Sequence, residues 1–229
     1  MSEPKQPRSE RTQERLLRAA EKLIHEKGLA DASVPEIARR AGSSVGGFYA
    51  RFPDKDALLR ALEERFFAEM LARVAKLADA GRWGDAAIAE IASACAGELV
   101  AVFRERRNLI AAFLHTSTRD PALLANALRF RAATAERIAT LLLPRRHELD
   151  HPEPRLAIDL GVQFAFALML QLVLVGEVRA GGRVLGDREL QAEIERNFLA
   201  YIGAPQQAPP RGARSEPAAS EVPQPGERK

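Results

Sequence analysis

SVPEIARRAGSSVGGFYARFPDK, residues 33–55, is the stretch on which the reading of this chain turns. Ser33 and Glu36 have the S-x-x-E spacing of a capping box, in which each side chain satisfies a free backbone N–H at a helix start. Pro35 falls in the first turn, where its missing donor costs nothing. Val34, Ile37, Ala38 and Ala41 follow at i, i+3, i+4 and i+7, so one face is apolar. Gly42 comes just past the last periodic residue, where a left-handed stop is expected. Ser43 or Ser44 then caps a second short helix carrying Val45, Phe48, Tyr49 and Phe52. Two short helices joined by a tight glycine turn make a helix-turn-helix.

The run AGSSVGGFYARFPDKDALL, residues 41–59, resembles the DNA-binding signature of the TetR family of transcriptional repressors. The likeness begins at Glu14 and covers about the first quarter of the chain. Ala41, Gly42, Ser44, Gly46, Tyr49, Phe52, Asp54, Lys55 and Leu58 keep the pattern. Val45 stands where lysine is common, Gly47 where Thr or Ala is common, and Arg51 where His is frequent. The resemblance implies a ligand-responsive repressor that binds a palindromic double-stranded DNA operator as a homodimer. It also implies a non-enzymatic, cytoplasmic protein without a cofactor.

Composition agrees with such a chain. Its 229 residues suffice for two modest domains, and 46% hydrophobic content supports a sizeable core. Alanine, leucine, glutamate and arginine dominate, and all are strong helix formers. The fold class expected is all-α. Net charge is only +3, yet residues 1–60 hold 12 Lys and Arg against 9 Asp and Glu, which localises the basic excess at one end. A single cysteine, Cys95, excludes an intramolecular disulfide and suits a reducing compartment. MSEPKQPRSERTQER has no apolar h-region, so a secretory signal is not expected.

Working outward, residues 1–8 read as a flexible arm whose Lys5, with Arg8 and Arg11, suits a phosphate backbone or minor groove. Residues 9–54 form the DNA-binding domain. Its first helix is expected from Ser9 to Lys27, with Leu16, Ala20, Leu23, Ile24 and Lys27 inward and Gly28 at its end. Residues 55–203 form a helical regulatory and dimerisation domain. It opens with a long helix from Lys55 to Ala80, on which Leu58, Leu62, Phe66, Met70, Val74 and Leu77 recur. Further helices are expected over 85–106, 108–117 and 120–143. LPRRHELDHPEP is a polar loop. LGVQFAFALMLQLVLVG, residues 160–176, approaches the roughly 20 residues of a membrane span. Gln163, Gln171 and flanking Asp159 and Glu177 make it instead a helix buried in protein. GEVRAGGRVLGD reads as a flexible turn, Asp187 caps a last helix to Ile202, and residues 204–229 read as a disordered tail.

Each interface residue has a chemical reason. The second short helix suits a major groove, its first residues facing base edges. Val45 fits a thymine methyl, and Gly46 and Gly47 allow close backbone approach to phosphate. Tyr49 offers a rigid hydroxyl. Lys55 sits at a helix N-terminus that already favours phosphate, and Arg51 is the long cation suited to guanine. Ser33 and Ser44 complete the set, with helix capping as the role open to both.

One rival motif is His147-Glu148-Leu149-Asp150-His151, an H-E-x-x-H that on a helix would bind zinc for hydrolysis. Pro144 and Pro152 bracket it and leave no room for that helix. A second rival is a helical adaptor with a degenerate DNA-binding domain, suggested by Val45 and Gly47. No nucleophile elbow, P-loop or dinucleotide fingerprint occurs. For a ligand pocket, Phe103, Phe113, Phe130 and Phe166 offer apolar walls. His115, Gln163 and Gln171 offer polar contacts, since binding sites combine an apolar wall with few polar groups.

Overall fold

A computed structural model describes residues 5–206, with side chains from Ser9 onward. It is all-α apart from one small hairpin, in the order α1 Lys5–Asp31, α2 Val34–Arg40, α3 Val45–Tyr49, α4 Lys55–Leu77, α5 Ile88–Glu105, α6 Arg107–Ser117, α7 Pro121–Leu142, α8 Pro154–Val175 and α9 Asp187–Ile202. Short 3₁₀ turns follow α4 at Ala80–Arg82 and α7 at Leu143–Glu148.

The first helix departs from expectation at both ends. It already runs from Lys5, within the stretch read as an arm, and residues 1–4 of that arm lie outside the described residues. At its far end Gly28 adopts φ 82° and ψ 172°, which breaks the helix without ending it, and three further residues reach Asp31. A non-glycine residue would be strained there. Leu16, Ala20, Leu23 and Ile24 are fully buried, whereas Lys27 turns outward and pairs with Glu36. That pair also undoes the expected capping box: Ser33 is the N-cap of α2, but its side chain makes no cap bond, and Glu36 is committed to Lys27.

The small head formed by α1, α2 and α3 has no separate core. One continuous apolar cluster runs from Leu16 through Phe48, Leu58 and Phe66 to Ile202 and Ala204. Five-residue α3 is far too short to be stable alone. Phe48, fully buried, and Phe52 anchor it by covering the head's interior. Each such buried aromatic contributes about 1.5–3 kcal/mol. Charged ties add direction: Arg65 of α4 pairs with Glu14 and Glu21 of α1, and Arg106, between α5 and α6, reaches the same Glu21.

In the body, α4 packs on α7 and α6, α5 on α9 and α8, and α8 on α7 and α9. Asp54 and Asp120 cap α4 and α7 by accepting from Ala57 and Ala122. Glu189, not Asp187, closes the start of α9 by accepting from Gly186 N. GEVRAGGRVLGD is ordered rather than loose: β1 Arg179–Ala180 pairs antiparallel with β2 Arg183–Val184. Gly181 and Gly182 take φ 56° and 77°, the two positive values that a tight two-residue hairpin turn needs. Ala204 is buried, so ordered chain extends past Ile202; residues 207–229 of the expected tail lie outside the described residues.

Among the described residues, α8 is the one helix long and apolar enough to cross a membrane. It is not buried all round as expected. Ile158, Val162, Phe166, Met169 and Val173 face the core, while Phe164, Leu174 and Val175 are exposed.

Candidate nucleic-acid interface and internal cavity

Gly42, at φ 61°, turns the chain out of α2, and Ser43 N returns to the Ala38 carbonyl. Ser44 is the N-cap of α3: its Oγ accepts from Gly47 N at 2.9 Å. This geometry explains a residue that departs from the TetR pattern. A Cβ on Gly47 would lie 2.5 Å from Ser43 Oγ and 3.3 Å from Ser44 Oγ, so the neighbouring hydroxyls already crowd the position. The close approach is therefore internal to the chain. Gly46, by contrast, has only Ser44 Oγ at 3.9 Å and is open.

The outer surface of α3 carries Val45 and Tyr49, 40% and 53% exposed, with Gly46 between them. Tyr49 meets Phe48 edge-on at 5.3 Å between centroids, which steadies the ring while its hydroxyl end projects outward. Ser33 is exposed at the start of α2. Each of these residues is exposed on the helix-turn-helix.

Two of the expected contacts are otherwise engaged. Arg51 does not project: Nη1 donates to the Gly47 carbonyl at 2.9 Å and Nε to the Ser9 carbonyl at 3.3 Å. It lies beyond the end of α3, so its side chain folds back along the helix that it was expected to extend. Lys55 Nζ donates to the Leu29 carbonyl at 2.6 Å, and burial lowers its pKa. Arg51 thus ties α1 to α3, and Lys55 ties α1 to the start of α4.

Between α4, α5, α7 and α8 lies a cavity of about 280 Å³. Phe103, Phe113, Phe130 and Phe166 line it, as the sequence suggests. The three polar residues chosen from sequence do not. Gln163 and Gln171 are exposed on α8 and are not part of the lining, and His115 lines a separate cleft between α4 and α6. The lining's polar residues are instead Glu63, Arg73, Glu98, Ser117, Arg131, Thr134 and Glu195, and of these Glu63, only 1% exposed, is the one buried charged residue among those described. Its Oε2 accepts from Asn126 Nδ2 of α7 at 3.1 Å, and Arg129 in turn donates to Asn126 Oδ1. Desolvation raises the Glu63 pKa to about 7, and Asp120 and Glu64 push it the same way, while the Asn126 bond and Arg129 oppose the rise. Phe67, also missed, stacks on Phe130 with centroids 4.7 Å apart and planes 9° from parallel. Cys95 lines the same cavity, where burial pushes its thiol pKa to about 11 and leaves it a poor nucleophile.

The H-E-x-x-H residues do not share a helical face. His147 and Glu148 lie in the 3₁₀ turn, Leu149 is extended at φ −109° and ψ 119°, and Asp150 N binds the Gly203 carbonyl. Glu148 is held by Arg145, and His151 Nδ1 accepts from Glu153 N. Among the described residues no three acidic, histidine or cysteine side chains come together as a metal site.

Comparison with known proteins agrees with this geometry. Residues 16–62 match the model of bacterial regulatory proteins of the tetR family. An uncharacterised HTH-type transcriptional regulator, YvdT of Bacillus subtilis (strain 168), is 39% identical over 61 residues, 27% of this chain and 31% of that one. The chain spans about a third of the length of the curated relatives it matches. Over the whole fold, a transcriptional regulator of Rhodococcus sp. Rha1 superposes with TM-score 0.64 at 23% identity, covering 83% of this chain and 96% of that one. RolR, solved in complex with resorcinol, superposes with TM-score 0.55 at 21% identity over 87% and 91% of the two chains.

Proposed function

We propose that this chain is a sequence-specific transcriptional regulator working as a repressor, a reading supported by the match of residues 16–62 to the tetR-family model. One observation carries the reading: a capped α3 presents exposed Val45 and Tyr49 on a head whose interior is sealed by Phe48 and Phe52. Val45 meets a thymine methyl, Tyr49 and the Ser33 and Ser44 hydroxyls meet phosphate or base edges, and open Gly46 lets the backbone come close. Lys55 and Arg51 support the head and reach DNA only by releasing their carbonyl partners.

A homodimer follows from the exposed apolar residues of α8. Phe164, Leu174 and Val175 would be covered by the same face of a second copy, in a self-complementary two-fold interface. Two recognition helices set about 34–36 Å apart, or a multiple of that, then read a palindrome. The cavity holds a small, mostly apolar effector. Helix α4 connects the two activities, since Asp54 and Lys55 at its start abut the head while Glu63, Phe66, Phe67 and Met70 wall the cavity. An effector that binds the DNA-incompetent arrangement better shifts the population by that difference alone.

Genomic footprinting with the intact protein tests the reading. The expected result is protection of inverted repeats, reversed by an effector. Uniform, sequence-independent protection, or none, overturns it and favours the helical adaptor.

A further inference from the structure

Helices α4 and α7 face each other through two matching pairs four residues apart. Glu63 and Phe67 are neighbours on α4, and Asn126 and Phe130 are neighbours on α7. Asn126 binds Glu63, and Phe130 stacks on Phe67. The aromatic series continues from Phe67 to Phe66 and Phe113, and from Phe130 to Phe166 and Phe103, with neighbouring centroids 5.6–6.4 Å apart. A fully buried carboxyl thus opens on a wall of phenyl rings.

Only half of that carboxyl is satisfied. Oε2 has Asn126, while among the described residues no hydrogen bond reaches Oε1. An isolated ionised carboxylate in apolar surroundings is costly, and a well-aligned, hydrogen-bonded cation offsets part of that cost. The protein's own nearby cations do not supply it: Arg129 is directed to Asn126, Arg73, at the cavity, is paired with Glu98 at 3.0 Å, and Arg131, which also lines the cavity, makes no ion pair with Glu63 among the described residues. Phenyl faces attract cations through their quadrupoles, most strongly when desolvated.

We propose that the effector is a small organic cation, an amine protonated at neutral pH on an apolar frame, whose ammonium donates to Glu63 Oε1. This rests on the regulator reading above and names the ligand class of its cavity. At about 280 Å³ the space is slightly below the roughly 300–1,000 Å³ usual for ligand sites, which limits the frame to something near a phenylalkyl chain. Asn126 is a positioning residue that fixes the carboxyl plane. Because Glu63 titrates near 7 when the cavity is empty, binding a cation ionises it and expels its proton. Asp120 and Glu64 raise that titration and Arg129 lowers it, so the proton leaves against the field of two carboxylates and with the help of one guanidinium.

The test compares 4-phenylbutylamine with its neutral isostere 4-phenylbutan-1-ol by calorimetry on the full chain. In wild type at pH 7 the amine should bind at least tenfold tighter than the alcohol. It should also release about half a proton, read from two buffers of different ionisation heat. Glu63→Gln should weaken the amine at least tenfold, leave the alcohol within twofold and abolish proton release. Equal binding of the two compounds, no binding of either, or an amine affinity untouched by Glu63→Gln would overturn the proposal. The wild-type proton count does not depend on the variant folding. Operator binding is measured separately on ligand-free protein; its absence would overturn the regulator reading and leave the amine-to-alcohol ratio standing as a property of the cavity.

Discussion

Lys55 and Leu29 are joined across the break in the first helix: the ammonium donates to the Leu29 carbonyl at 2.6 Å, one residue beyond Gly28. The bond ties the start of α4 to the one strained turn of α1. The same carbonyl also accepts from Ala32 N at 3.3 Å, so the ammonium is its second donor.

Lys55→Met keeps the apolar stem and removes this bond. Hydrogen bonds to charged groups contribute about 1.5–3 kcal/mol, and half-burial lowers that, so a loss of about 1–2 kcal/mol in urea unfolding is expected. DNA affinity should fall on every sequence with the salt slope unchanged, because the ammonium is held on Leu29. A slope smaller by about one would show that Lys55 releases Leu29 and reaches phosphate.

Tyr49→Phe should weaken binding to all duplexes while leaving thermal unfolding unchanged, because the ring is exposed and its packing on Phe48 survives. Arg51→Ala should behave differently. With its guanidinium on the Gly47 and Ser9 carbonyls, its removal should loosen α3 and lower affinity without relaxing specificity. Fluorescence anisotropy against operator and scrambled duplexes separates the two; relaxed specificity in Arg51→Ala would return it to base reading.

Glu63 predicts a pH dependence of stability. Its folded pKa of about 7 lies above the ordinary glutamate value of 4.5. The stabilising contribution is therefore fully present below about pH 4.5 and is lost as pH rises through about 7. The full difference is at most about 3 kcal/mol. Urea titrations should show wild type losing stability relative to Glu63→Gln between pH 5 and 8, and parallel curves would place the carboxyl in contact with water.

Leu174 is 72% exposed, so Leu174→Arg costs the isolated fold little. Sedimentation should find the wild type dimeric and this variant monomeric, with unchanged helical content by circular dichroism. A wild-type monomer would remove the α8 face from assembly.

The helix-turn-helix was legible because its signals are local. Gly42, the Ser44 cap and the buried Phe48 each depend on a few neighbouring residues. Partner choice was less legible. Nothing in S-x-x-E says that Lys27, from another helix, will claim Glu36. Helix α8 is apolar on every side, so periodicity could not tell that Gln163 and Gln171 are exposed and outside the cavity lining. Glu63 did leave a trace: Leu59, Glu63, Phe66 and Met70 follow one helical row, all buried. Adjacent Glu64 and nearby Arg60 made it resemble part of a solvated charged face. The hairpin was readable too, from Gly181-Gly182 between two short extended pairs.

Helix α4 gives its first turn to the head and its middle to the cavity, and about 12 Å separates Lys55 from Glu63 along its axis. For protein engineering this makes the two walls of the cavity unequal. Residues such as Phe66 and Met70 cannot be exchanged to admit a new molecule without also altering the angle at which the head is carried. Phe130 and Ala127, on α7, line the same space from a helix that does not begin at the head. A biosensor built on this scaffold should be retuned from α7 and leave α4 as it is.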